Sequence, residues 1–356
     1  MKRIITIVGA RPQFVKAATL SRQFRILGIE EKIIHTGQHF DANMSDVFFE
    51  EMEIPKPAYQ LDIHSLSHGA MTGRMLEGIE QILIKEKPDG VLVYGDTNST
   101  LAGALAASKL HIPVIHVEAG LRSYNMEMPE EINRILTDRI SNVLFCPTDT
   151  AVANLKKEGF DTMPAKVIKN GDVMQDAAMF YANSAILRSE VIKKAGLNKF
   201  VLATIHRQEN TDNPENLKNI IDGLNEIHKH VQVVVPMHPR TRNILAQNYQ
   251  LPNFTIIDPV GYFDMIMLLK SCEMVITDSG GVQKEAFFFA KHCITLREQT
   301  EWIELVENGF NLLVGSDSNK LLEAFNTFSS KKSNFNIDLY GKGQAAEKAA
   351  KEILSL

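Results

Sequence analysis

The stretch GVLVYGDTNSTLAGALAASKLHIPVIHVEAG, residues 90–120, decides the fold. GVLVYGD (90–96) is a near-continuous apolar run that ends in Gly-Asp. Residues 98–110 carry alanine and leucine at helical spacing behind Thr-Asn-Ser. PVIHVEAG (113–120) is a second apolar run, ending in Glu-Ala-Gly. A strand, a helix and a strand of this kind make a βαβ unit. Strands apolar on both faces belong to a parallel sheet covered by helices on each side.

The pattern extends in both directions. RIITIVG (3–9), KIIHTG (32–37), NVLFCPT (142–148) and AKVIKNGD (165–172) read as further strands. Helical patterns lie between them at 12–27, 70–87, 129–141 and 148–158. The alternation breaks over 172–198, where two helical stretches follow one another, and then restarts. KFVLATIHR (199–207), VQVVVPMHP (231–239), NFTIIDP (253–259), EMVITDSGG (273–281), HCITLRE (292–298) and NLLVGSD (311–317) are strand-like. Helical segments follow at 213–229, 239–248, 262–270, 281–290, 300–307 and 318–328, with a last helix at 343–355. The expectation is an α/β chain of two Rossmann-like domains, 1–171 and 172–340, with a cleft between them, and a C-terminal helix over 341–356.

Bulk properties narrow the function. The 356 residues suffice for two domains, and 44% hydrophobic with 23% charged residues is ordinary for a globular chain. A net charge of −5 argues against a nucleic-acid-binding surface, while leaving room for a local basic pocket. Cys146, Cys272 and Cys293 are scattered, without CxxC or His/Cys spacing, so neither zinc nor a disulfide framework is indicated. The N-terminal apolar run is too short for a signal-peptide core, and a cytoplasmic location is expected.

Ligands of open parallel sheets sit at the carboxyl ends of the strands. Those ends are rich in charge. GARPQFVK (9–16) puts Arg11 and Lys16 near a helix start, against the helix dipole, where an anionic ligand would account for them. The plain alternative is basic side chains extended into solvent. TDSGGVQKEA (277–286) runs from a strand through Ser279, Gly280 and Gly281 into a helix, a geometry that admits phosphate, with Glu285 positioned to meet ribose hydroxyls. Its plain alternative is an ordinary N-cap by Ser279. No GxGxxG follows a strand and no GxxxxGK[ST] occurs, so the phosphate belongs to a substrate and no cofactor is expected.

Asp96 ends one strand, as a helix cap or as an acid or base. Glu118 is followed by Ala-Gly-Leu-Arg, which is no helix start. Of the pair Glu130–Glu131, one favours the helix N-terminus electrostatically and the other faces the cleft. Glu130 is the choice for the cleft. Glu131 and Glu127 are read as helix-terminus or surface charges. His206 and Arg207 in TIHRQEN (204–210) would clamp a diphosphate opposite Arg11, and His238 in MHPR is similar. Met265, Met267 and Phe287–Phe289 are read as core. No third and fourth ligand stand at metal spacing, so no metal is expected.

Taken together, GARPQFVKAA, HTGQH, VYGDTNSTLAGALAA, HVEAGLRS, PEEINR, TIHRQEN, HPRTR and TDSGGVQKEA resemble the non-hydrolysing UDP-N-acetylglucosamine 2-epimerases over nearly the whole chain. The resemblance implies the GT-B type of two-domain fold, a final helix packed back on the first domain, and a homodimer. It implies elimination of UDP from C1 with loss of the C2 proton, then re-addition of UDP after protonation on the other face. Asp96, Glu118 and Glu130 match the acid/base carboxylates. Arg11, Lys16 and His206 match residues around the diphosphate and leaving group, and Ser279, Gly280, Gly281 and Glu285 match the UDP site. Gln38, His39, Arg74 and His238 fall where some bacterial members bind a second UDP-sugar as activator. Two departures stand out. REQTEWIE (297–304) carries Trp302 where many members have arginine, and TIHRQENTD differs from the common HRRE form. Both resemble the branch acting on UDP-2,3-diacetamido-2,3-dideoxy-glucuronate, so the substituents at sugar C3 and C6 stay open. A GT-B glycosyltransferase, a hydrolysing 2-epimerase and a non-catalytic UDP-sugar sensor are the rivals.

Overall fold

The computed structural model describes residues 1–38, 52, 54–237, 239–248 and 252–356, with Arg11, Gln247 and Asn248 described by backbone alone. His39, His238 and the Arg11 side chain, all expected at the site, lie outside the described residues. The chain forms two compact units, Met1–Ala177 with Asp338–Leu356, and Ala178–Ile337.

The first unit runs β1 (Arg3–Val8), α1 (Arg11–Leu27), β2 (Glu30–His35), β3 (Tyr59–Gln60), α2 (His68–Glu86), β4 (Gly90–Tyr94), α3 (Asn98–Lys109), β5 (Val114–Val117), α4 (Pro129–Ile140), β6 (Val143–Cys146), α5 (Asp149–Lys157) and β7 (Lys166–Lys169). The strands form one parallel seven-stranded sheet in the order β3-β2-β1-β4-β5-β6-β7. Ile5, Ile7, Val91, Val93 and Val114 are buried against α2 and α3, each removal from water contributing about 1.5–3 kcal/mol. Helix α3 is buried nearly all round. Its Ala102, Ala104, Ala106 and Ala107 are fully covered, which small side chains allow because neighbouring backbones can approach closely.

α6 (Val173–Arg188) carries the chain into the second unit, followed by α7 (Val191–Lys194). That unit contains β8 (Phe200–Thr204), α8 (Gln208–Thr211), α9 (Pro214–His228), β9 (Gln232–Pro236), α10 (Pro239–Asn248), β10 (Thr255–Ile257), α11 (Tyr262–Ser271), β11 (Met274–Thr277), α12 (Gly280–Phe288), β12 (Cys293–Thr295), α13 (Ile303–Glu307), β13 (Asn311–Leu313) and α14 (Ser318–Ser330). Its six strands are parallel in the order β10-β9-β8-β11-β12-β13. Phe287 is buried, and Met265, Met267 and Phe289 are partly buried against the cluster of Phe200, Leu268 and Val275. The final helix α15 (Ala345–Ser355) returns to the first unit and packs on α1. Asp176 caps it, accepting the backbone N–H groups of Ala345 (3.1 Å) and Ala346 (2.7 Å). Burial raises the Asp176 carboxyl to about 6, against the opposing effect of those two N–H groups.

In each sheet the strand order reverses once, between β1 and β4 and between β8 and β11. Ligands of such sheets bind beyond the carboxyl ends of the strands at that reversal. Among the described residues no helix is long and apolar enough to cross a membrane.

Candidate active site

Three turns meet at the reversal in the first unit: Gly9–Ala10 after β1, Gly95–Thr97 after β4, and Glu118–Gly120 after β5. Gln13 ties the first two. Its Oε1 accepts Gly9 N (2.8 Å) and Ala10 N (3.0 Å), and its Nε2 donates to Tyr94 O (2.8 Å) and the Thr97 and Thr100 hydroxyls. A glutamine can do this because its amide both donates and accepts.

Asp96 is not the cap of α3. Thr97 is, its hydroxyl accepting Thr100 N at 3.2 Å. That leaves the Asp96 carboxylate to accept from Arg134 Nη2 (2.6 Å), with 30% of its side chain exposed. Arg134 is held in turn by Glu131, at 2.7 Å. Glu131 lies in the first turn of α4, as the helix-terminus reading has it, but it is not a surface charge. It is fully buried because it accepts Ser123 N (2.9 Å), Ser123 Oγ (3.0 Å) and Tyr124 N (3.0 Å), which neutralise its burial cost and fix the loop before α4. Glu130 and Glu127 are exposed.

Glu118 sits at φ 75°, a left-handed conformation costing about 1–2 kcal/mol for a residue with a Cβ. The turn is pinned in several ways. Glu118 N and Ala119 N both donate to Phe145 O (3.1 and 3.0 Å). Gly120 has φ 79°, and a Cβ there would lie 2.5 Å from Ala151 O. Strain persists only where surroundings over-determine it, and such places cluster at functional sites. The Glu118 carboxylate is in ion-pair contact with Lys16 Nζ, each side chain only 10% exposed. Lys16 is therefore buried against an anion of the protein and is not extended into solvent. Gln38 Oε1 accepts Ser99 N (3.0 Å) and Ser99 Oγ (2.8 Å), anchoring the start of α3, and Arg74 is exposed on α2.

Beneath these turns lies a pair that the sequence reading missed. His116 bonds Asp138 Oδ1 through Nδ1 (2.7 Å) and Gly95 O through Nε2 (2.8 Å). Asp138 Oδ2 also accepts Gly120 N (3.1 Å) and Arg122 Nη1 (2.7 Å). Burial raises the Asp138 pKa, but His116 and Arg122 outweigh it and hold the carboxyl below its ordinary value.

In the second unit the reversal lies between β8 and β11. Asp278 ends β11 fully buried and accepts the backbone N–H groups of His206 (3.0 Å) and Arg207 (3.0 Å) and the Asn210 amide (3.2 Å). His206 Nδ1 lies 3.1 Å from Asp278 Oδ1, and the imidazole is 54% exposed, so one ring edge is fixed and the other is open. Burial raises the Asp278 carboxyl, and His206 with those N–H groups more than reverses it. Ser279 does cap α12, its hydroxyl accepting Val282 N at 3.5 Å. A Cβ on Gly280 would lie 2.4 Å from Glu301 Oε1, whereas Gly281 faces open space. Glu301 pairs with Arg297 (3.0 Å), both buried. Glu285 is buried on α12. Trp302 is buried too, with Lys284 Nζ 3.9 Å above its ring, a cation–π contact. Among the described residues no group of three or more His, Cys, Asp or Glu side chains could hold a metal.

The family profile described as UDP-N-acetylglucosamine 2-epimerase matches residues 25–354. The chain belongs to that family. It is 56% identical over 356 residues to the UDP-2,3-diacetamido-2,3-dideoxy-D-glucuronate 2-epimerase of Pseudomonas aeruginosa, covering 99% of this chain and 100% of that one. It is 44% identical over 360 residues to the UDP-N-acetylglucosamine 2-epimerase of Methanocaldococcus jannaschii, covering 97% of each. The crystal structure of the M. jannaschii UDP-GlcNAc 2-epimerase in complex with UDP-GlcNAc and UDP matches all of both chains at a TM-score of 0.91 and 43% identity. The fold is thus that of these epimerases, two Rossmann-like α/β units of the GT-B type, and the family assignment makes the chain a UDP-sugar 2-epimerase, an isomerase.

Proposed function

We propose that the protein inverts C2 of a UDP-linked 2-acetamido sugar, UDP-N-acetylglucosamine in the first instance, by eliminating UDP and adding it back. The observation that carries this is the pairing at the first unit's reversal: Asp96 with Arg134, and Glu118 with Lys16, on adjacent strand-end turns. A C2 proton without a neighbouring ketone is very weakly acidic. Its removal requires a positioned carboxylate and a leaving group whose charge is stabilised as it departs. In the forward step a carboxylate takes the C2 proton, the C–H electrons form the C1–C2 double bond, and the C1–O electrons leave with UDP. In the return step a proton reaches C2 on the opposite face and UDP re-forms the bond to C1.

Asp96, Glu118 and the exposed Glu130 are assigned the proton transfers. Arg11, Lys16, His206 and Arg207 are assigned to the diphosphate and its departure, His206 with one ring edge open to carry a proton. Ser279, Gly280, Gly281 and Glu285 are assigned to UDP, which the cap geometry and open space at Gly281 support. Sugar chemistry is assigned to the first domain and nucleotide binding to the second. A homodimer, a second UDP-sugar near Gln38, His39, Arg74 and His238 as activator, and a cytoplasmic location complete the reading.

A second substrate has its own support. The 56% identity over the full chain to the diacetamido-glucuronate enzyme, and Trp302 in place of arginine, favour UDP-2,3-diacetamido-2,3-dideoxy-glucuronate. Turnover of both UDP-sugars by the purified protein tests the proposal. Epimerisation of one with retention of UDP supports it and selects the substrate. Release of free sugar, or no turnover of either, contradicts it.

A further inference from the structure

We propose that His116 and Asp138 form a buried positioning pair that sets the direction and separation of the Asp96 and Glu118 carboxylates. This rests on the reading that those two carboxylates carry the proton transfers. His116 projects from β5 and Asp138 from α4, and both are fully buried. The pair touches each carboxylate-bearing turn through the backbone. His116 Nε2 reaches Gly95 O (2.8 Å), one residue before Asp96, and Asp138 Oδ2 receives Gly120 N (3.1 Å), two residues after Glu118.

The donors and acceptors are over-determined. Gly95 O can only accept, so His116 Nε2 carries hydrogen. Asp138 already accepts from Gly120 N and Arg122 Nη1, and its ionised carboxylate can only accept from Nδ1 as well. Both ring nitrogens therefore carry hydrogen, and the pair is an imidazolium–carboxylate pair sealed from water. Arg122 closes the far side with two bonds to Glu158 (2.7 and 2.8 Å). Neither His116 nor Asp138 lies among the residues expected to contact the UDP-sugar. Their effect reaches the reaction through turn geometry, where a shift of about 1 Å costs about 10²-fold in rate.

The test compares wild-type protein with His116→Asn and His116→Gln, using kcat, KM and UDP binding measured by calorimetry. Wild-type turnover of a UDP-sugar establishes the underlying function independently, and its absence would count against that function alone. With turnover established, the proposal expects kcat to fall about 10²-fold in both variants. KM and UDP affinity should stay within about threefold, because most residues assigned to UDP (His206, Arg207, Ser279, Gly280, Gly281 and Glu285) belong to the other unit, Arg11 and Lys16 being the two in this one. A kcat within threefold of wild type in a variant that still binds UDP overturns it. Should neither variant fold, ring-nitrogen NMR of 15N-histidine-labelled wild-type protein decides. Two solvent-protected ring N–H signals for His116 at neutral pH support the pair, and a single one overturns it.

Discussion

Lys16 Nζ meets the Glu118 carboxylate across 102 residues of sequence, on a glutamate held at φ 75°. A strained backbone, a buried anion and a cation partner thus coincide at one strand end. The pair lies between the regimes of exposed and buried ion pairs, and breaking it leaves the survivor largely uncovered by water. Lys16→Met and Glu118→Gln should each lower unfolding free energy by about 1–3 kcal/mol, and the double variant by less than their sum. Urea denaturation of the four proteins reads the coupling. Additive losses would mean that the contact contributes nothing. Glu118→Gln should also reduce kcat by about 10²–10⁴-fold, the size of a lost proton-transfer group.

Adjacent glycines in the second unit separate packing from binding. Gly280→Ala places a Cβ against Glu301 and disturbs the Glu301–Arg297 pair, so melting temperature and UDP affinity should both fall. Gly281→Ala meets no protein atom, so the melting temperature should hold while UDP binding weakens about tenfold or more by obstruction. Thermal melts and titration calorimetry distinguish the two. Unchanged UDP affinity in Gly281→Ala would remove this turn from the site.

In the first unit burial raises the carboxyl of Glu31 to about 7 and that of Asp176 to about 6. Raised folded values mean that the folded chain binds more protons than the unfolded chain between the ordinary carboxylate range and about pH 7. Stability from these groups therefore falls as pH rises through that window. Asp138 and Asp278 have lowered values and act oppositely, contributing above the ordinary range and failing only in stronger acid. Melting temperature should decline from about pH 5 to pH 7.5, and Glu31→Gln should flatten the decline. An identical slope in that variant would exclude Glu31 as a source.

Much of this was legible in the sequence, for physical reasons. Apolar runs and helical spacing are local, and they located the long elements of both sheets. The two-residue strand Tyr59–Gln60 and the four-residue helix Gln208–Thr211 were missed because so few residues carry no period. Strand-end carboxylates could be singled out because ligands collect where strand order reverses. Their partners could not. Asp96 finds Arg134 at a separation of 38, and His116 finds Asp138 at 22, distances that no local pattern records. Glu130 and Glu131 show the same limit. One residue of helix rotation, about 100°, separates an exposed carboxylate from a fully buried one, and composition does not fix the phase.

The central claim is that C2 is inverted by exchange of its proton at protein carboxylates. Incubating the wild-type protein with its UDP-sugar in D₂O and reading C2 by NMR and mass spectrometry tests it most directly. The account predicts one deuterium at C2 of the epimerised product with UDP still attached, and loss of that incorporation in Glu118→Gln. Epimerised product that keeps its original C2 proton would contradict it.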